Sequence, residues 1–201
     1  GFGALVLEKL SVNYRNKRTA GFHAFCDEKC LSGMNVYNAA FAVHHLYDLA
    51  NVCLFVDNEQ LRSICRNALK LKAPRYSHYN YLCNKFISNI TAPWRFGFTE
   101  NLYGFCRKMG VSDYSMKFLT AGLAQISPKK WDSKTKRKEM ETIALVKQCV
   151  SSSHFCIAPS DWSGAWSDND RFLALMFNYR GIGCEHDVYA VNKWLRRMTK
   201  E

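Results

Sequence analysis

The chain has 201 residues, 28 of them basic and 17 acidic, which leaves a net charge of +11 with the histidines neutral. Apolar residues make up 48% and aromatics 14%, material enough for a packed core, so global disorder is excluded. Against a prior of about 150 residues per domain, one domain or one and a fragment is expected.

In chain order, Gly1-Phe-Gly-Ala-Leu-Val-Leu-Glu-Lys-Leu10 reads as a helix that starts at or before the first residue, an abrupt opening expected of a fragment. Val52-Cys-Leu-Phe-Val56 is a continuous apolar run rich in β-formers, the signature of a parallel strand buried on both faces. Asp57, Asn58 and Glu59 follow as the cap and acidic first turn of a helix running to about Leu69 and stopping before Pro74. From Arg75, apolar residues at Tyr76, Tyr79, Leu82, Cys83, Phe86, Ile87 and Ile90 recur every three or four positions, which predicts a largely buried helix. Met116–Leu123 and Arg171–Tyr179 read as strands, and Lys138–Val150 and His186–Met198 as helices. Strands alternating with helices predict an α/β layered fold with a mixed sheet.

The positive excess implies an acidic counterpart, whether nucleic acid, an anionic surface or an acidic protein tail. Nine cysteines with no repeating spacing and no hydrophobic signal segment fit a reducing cytosolic compartment. The longest apolar runs fall far short of the ~20 residues of a membrane-spanning helix, so no membrane partner is expected. Two groups, His23 with Cys26 and Cys30, and Cys149 with His154 and Cys156, lack the paired spacing of structural zinc sites, so no metal is expected. The formal glycosylation acceptor Asn89-Ile-Thr91 falls inside the long helix and reads as structural.

Six segments, in this order and spacing, resemble the tubulin family, and its alpha chain more than its beta chain. They are Leu7-Glu-Lys-Leu-Ser-Val-Asn-Tyr14, Val36-Tyr-Asn38, Phe55-Val-Asp-Asn-Glu-Gln-Leu-Arg-Ser-Ile-Cys-Arg66, Pro74-Arg-Tyr-Ser-His-Tyr-Asn80, Ser88-Asn-Ile-Thr-Ala-Pro-Trp-Arg-Phe96, and Tyr179-Arg-Gly181 with Asp187-Val188 and Val191-Asn192. The resemblance implies the second half of a nucleotide domain over residues 1–74, a core helix over 75–96 and part of an intermediate domain over 97–201. It also implies a GTP-binding structural constituent of the microtubule cytoskeleton, cytoplasmic, with beta-tubulin or the microtubule lattice as partner.

By the same resemblance Gly1 matches the last glycine of a phosphate-cradling loop. Asn58 and Asn80 match asparagines that contact the guanine base, and Tyr76 the tyrosine that stacks on it. An amide both donates and accepts, which suits guanine, and the four-residue spacing puts Tyr76 and Asn80 on one helix face. Read without the resemblance, Asn58 is an ordinary helix cap and the other two are ordinary helix residues. Asn35 stands where the family has a ribose-binding glutamate, which predicts a weakened pocket.

The glutamate with which an alpha chain activates water against a neighbour's GTP falls on Cys106, or on Gly104 with a two-residue deletion, and neither side chain suits a general base. With the preceding phosphate loops not in the chain, weak GTP binding and no hydrolysis are expected. Lys129–Lys138, where seven of ten residues are Lys, Arg or Trp, occupies the place of the family's lateral loop. An alternative function is a basic module that binds acidic tubulin tails or RNA and has left the polymer.

Overall fold

The computed structural model describes residues 1–25, 33–97, 101–109, 116–124, 142–151, 154–157, 174–179 and 188–199. The helix expected at the start is α1 (Phe2–Asn13), with Gly1 as its N-cap. A turn leads into β1 (Ala20–Phe25), then α2 (Met34–Leu49), which follows Gly33 at φ +37°, a conformation that favours glycine. The continuous apolar run is β2 (Val52–Asp57), whose Val52, Cys53, Leu54 and Phe55 are buried.

β1 and β2 pair in parallel with Ala20 opposite Val52 and Phe25 opposite Asp57, so β1–α2–β2 is a crossover unit. On its other side β2 pairs in parallel with β3 (Phe118–Leu119), giving the sheet order β1–β2–β3. The strand expected over Met116–Leu123 is therefore two residues of ladder. Thr120, Ala121 and Gly122 leave the register, and Gly122 instead bridges antiparallel to Phe155. This bridge is the antiparallel pairing among the described residues; the three strands of the sheet are parallel.

Asp57 caps α3 (Asn58–Asn67), accepting hydrogen bonds from the N–H of Glu59 at 3.2 Å and of Gln60 at 3.4 Å. The long helix is α4 (Tyr76–Arg95), started at Arg75, whose N–H donates to Nδ1 of His78. Its buried residues Tyr79, Leu82 and Phe86 meet Leu61, Ile64 and Cys65 of α3 in one core cluster that also takes in Cys156. Within α4, Thr91 donates to the carbonyl of Ile87 and Asn89 is half-buried, so the formal glycosylation triplet lies inside a helix.

After Gly97 come α5 (Leu102–Met109), capped by Asn101, whose side-chain oxygen accepts from the N–H of Gly104, and α6 (Thr142–Val150) and α7 (Val188–Thr199). Val146 and Val150 of α6 pack with Val191 of α7. The remainder of the expected helix over 138–150 lies outside the described residues, as do 171–173 of the expected strand over 171–179. Its residues 174–179 form no strand among the described residues, because none of their backbone groups joins a ladder.

Candidate functional site

In open parallel sheets, ligands bind beyond the carboxyl ends of the strands, where the following helices begin and their first N–H groups lack intrahelical acceptors. Here that edge carries Phe25 at the end of β1, Asp57 at the end of β2, and the first residues of α2 and α3. A cavity of about 330 Å³ opens there, lined by Gly1, His23 and Asn35 among others. The space where a Cβ would sit on Gly1 or Gly3 is open.

His23, which the sequence offers only as a metal ligand, lies in the wall of this cavity with its Nε2 buried and without a hydrogen-bond partner among the described residues. Burial holds its pKa below the ordinary 6.5. The imidazole lies directly over Gly21, where a Cβ would come within 2.0 Å of Nε2, so only glycine at position 21 lets the ring take this place. Its ring stands 5.9 Å from that of Phe55. The strand alternation that puts residues 21 and 23 on one face was the signal available for this pairing.

Of the five residues singled out from the sequence, Gly1 and Asn35 share the cavity. Asn58, Tyr76 and Asn80 do not line it and are exposed. Asn58 is the first residue of α3 at the carboxyl end of β2, and Tyr76 and Asn80 stand one turn apart at the start of α4. Tyr76 packs edge-on against Tyr79 at 5.7 Å, and the Tyr79 hydroxyl accepts a hydrogen bond from Arg62 of α3 at 3.3 Å, which ties the two helix starts together. The start of α1, His23 and Asn35 thus shape one cavity, apart from the starts of α3 and α4. Asn58, Tyr76 and Asn80 present an open surface rather than an enclosed slot.

Cys106 is buried in α5 against Val52, Leu54 and Phe105. Burial pushes its thiol pKa up, with Arg18 only partly opposing this, so it is no base for water near neutral pH. Cys156 is likewise committed, donating to the carbonyl of Phe55 at 3.1 Å, and His154 Nδ1 lies 2.9 Å from the Ser151 hydroxyl. No group of three metal-binding side chains occurs among the described residues, and Cys26, Cys30 and the basic stretch 129–138 lie outside them.

The class these features are compatible with is a partial α/β nucleotide domain: a parallel crossover unit with two helix starts and a cavity at its carboxyl edge. No protein-family model matches the chain. Among curated proteins it is similar to the tubulin alpha-3 chain of Zea mays, 37% identical over 97 residues. The match covers 48% of this chain and 22% of that relative, so the chain aligns with about a fifth of the relative's length. Among the described residues, no helix is long and apolar enough to cross a membrane.

Proposed function

We propose that the chain is a divergent member of the tubulin family, alpha-like, that supplies the base and ribose side of a guanine-nucleotide site and acts as a structural component at the microtubule. The observation that carries this is the 37% identity with an alpha-tubulin, joined to the placement of Asn58 and Asn35 at helix starts on the carboxyl edge of a parallel sheet. In this reading Asn58 and Asn80 hydrogen-bond the guanine edge and Tyr76 offers a face for stacking. Gly1 and Asn35 meet the phosphate and ribose side, and GTP is the cofactor. Residues 1–74 form part of the nucleotide domain, 75–96 its core helix, and 97–201 part of an intermediate domain.

The chain does not activate GTP hydrolysis, because the position of the activating carboxylate falls on the buried thiol of Cys106, or on Gly104 with a two-residue deletion. Its partner is beta-tubulin or the microtubule lattice, in the cytoplasm. The test is co-sedimentation with microtubules at low and at near-physiological salt, with phosphate release followed on mixing with GTP-loaded beta-tubulin. Retention at the higher salt with no burst of phosphate supports the reading. Loss of all binding at the higher salt, or a burst, overturns it, since an apolar longitudinal contact persists when charge is screened.

A further inference from the structure

The opposite edge of the sheet carries a second cavity, of about 410 Å³, within the range of about 300 to 1,000 Å³ usual for ligand cavities. It lies at the amino ends of β1 and β2, away from Asn58 and Asn35, between the α1–β1 turn and the start of α5. Arg15, Lys17 and Arg18 line it with Tyr14, Asn51 and Tyr103, and no acidic side chain lines it among the described residues. None of the three cations makes an ion pair with a described residue.

The turn that presents these cations is fixed from beneath. Thr19 donates its N–H to Oδ1 of Asn51 at 2.9 Å, and its carbonyl accepts from the N–H of Asn51 and of Val52, each at 3.2 Å. The Thr19 hydroxyl reaches the carbonyl of Leu49 at 3.5 Å. The side-chain oxygen of Asn51 and the carbonyl of Thr19 are therefore engaged, and the lining carries two guanidinium groups and an ammonium beside the neutral side chains of Ser11, Tyr14, Asn16 and Tyr103. The Arg18 guanidinium lies over the Tyr103 ring at 5.2 Å, which both orients the cation and covers the ring face.

We propose that this cavity is a docking site for a carboxylate-rich peptide, a run of glutamates on a protein partner. An ionised carboxylate is acceptor-only and is complementary to these three cations, and Arg15 and Arg18 offer the planar forks that take carboxylates in pairs. The Arg18 guanidinium covers one face of Tyr103 while Tyr14 is exposed, so a single-stranded nucleic acid is the competing occupant that the test decides against or for. The site goes beyond the guanine reading and is independent of it, since none of its lining residues belongs to the nucleotide edge.

The test is fluorescence anisotropy of a fluorescein-labelled ten-glutamate peptide titrated with the full chain. A double variant R15Q/R18Q is compared with a charge-matched control, K70Q/K72Q, on the exposed α3–α4 turn, and equal thermal melts verify that both fold. Expected are binding that weakens steeply as salt rises, about a tenfold loss in R15Q/R18Q and less than about a twofold loss in the control. The proposal is overturned by equal losses in the two variants, by no binding of the peptide, or by a ten-uridine RNA that binds as tightly and loses affinity in the same variant. Guanosine binding, unaffected by either double variant, reports separately on the nucleotide reading.

Discussion

The docking of α4 on α3 sets where Tyr76, Asn80 and Asn58 stand relative to one another, and Leu82 is the residue on which that docking turns. It is 1% exposed and packs among Leu61, Ile64, Cys65, Tyr79, Phe86 and Cys156. Truncating it, Leu82→Ala, removes three carbons from a site walled by two helices that are themselves held to β2, so the wall cannot close fully over the void. A loss of about 3 kcal/mol is expected, the middle of the range for buried leucines. For a chain of this size that lowers the thermal midpoint by roughly 6 to 12 °C. Urea unfolding followed by tryptophan fluorescence measures it, with Leu5→Ala on α1 as the contrast. Leu5 is 63% exposed, so its truncation should cost less than about 0.5 kcal/mol. A loss below about 1 kcal/mol in Leu82→Ala, or equal losses in both variants, would refute the packing of the two helices described above.

Three further outcomes are expected. Asp57→Ala removes the oxygens that accept from Glu59 and Gln60 and should cost about 1 kcal/mol in the same urea assay, while Asp57→Asn retains most of the cap. Gly122→Ala places a Cβ 1.9 Å from the carbonyl oxygen of Cys149, a backbone atom that cannot swing aside; the bridge to Phe155 should open, with a loss of about 2 kcal/mol. His23 has a folded-state pKa below its ordinary 6.5, so near pH 6.5 and below the unfolded chain takes up the proton first. Stability should therefore fall as pH drops through 6.5 towards the folded-state value, and His23→Phe should flatten part of that fall. His154, which burial shifts in the same direction, contributes to the same fall. A pH series of urea midpoints distinguishes the two.

The elements legible in the sequence were those whose pattern has one physical cause. β2 showed as a continuous apolar run because both its faces are covered, and α3 and α4 showed through a cap and a three- and four-residue apolar spacing because each buries one face. β1 did not show: Ala20, Gly21 and Ala24 are poor strand formers, and the strand is specified by its parallel register with β2. Nor did α2, whose apolar residues surround the helix; Met34, Val36, Tyr37 and Phe41 are exposed while Leu46 is buried, so no stripe marks the inner face. The site followed the same division. Asn58 and Tyr76 sit at the helix starts expected from capping and spacing, but the grouping of Gly1, His23 and Asn35 depends on the crossover that brings α1, β1 and α2 to one edge. Contacts between residues far apart in sequence leave no local pattern to read.

The central claim, a guanine-selective surface at the carboxyl edge, is tested most directly by titrating the chain with guanosine and with adenosine and following the nucleoside protons by saturation-transfer NMR. The account predicts weak binding with a preference for guanosine that disappears in Tyr76→Ala and in Asn58→Ala while both variants stay folded. Equal binding of the two nucleosides, or guanosine binding untouched by either substitution, would contradict it.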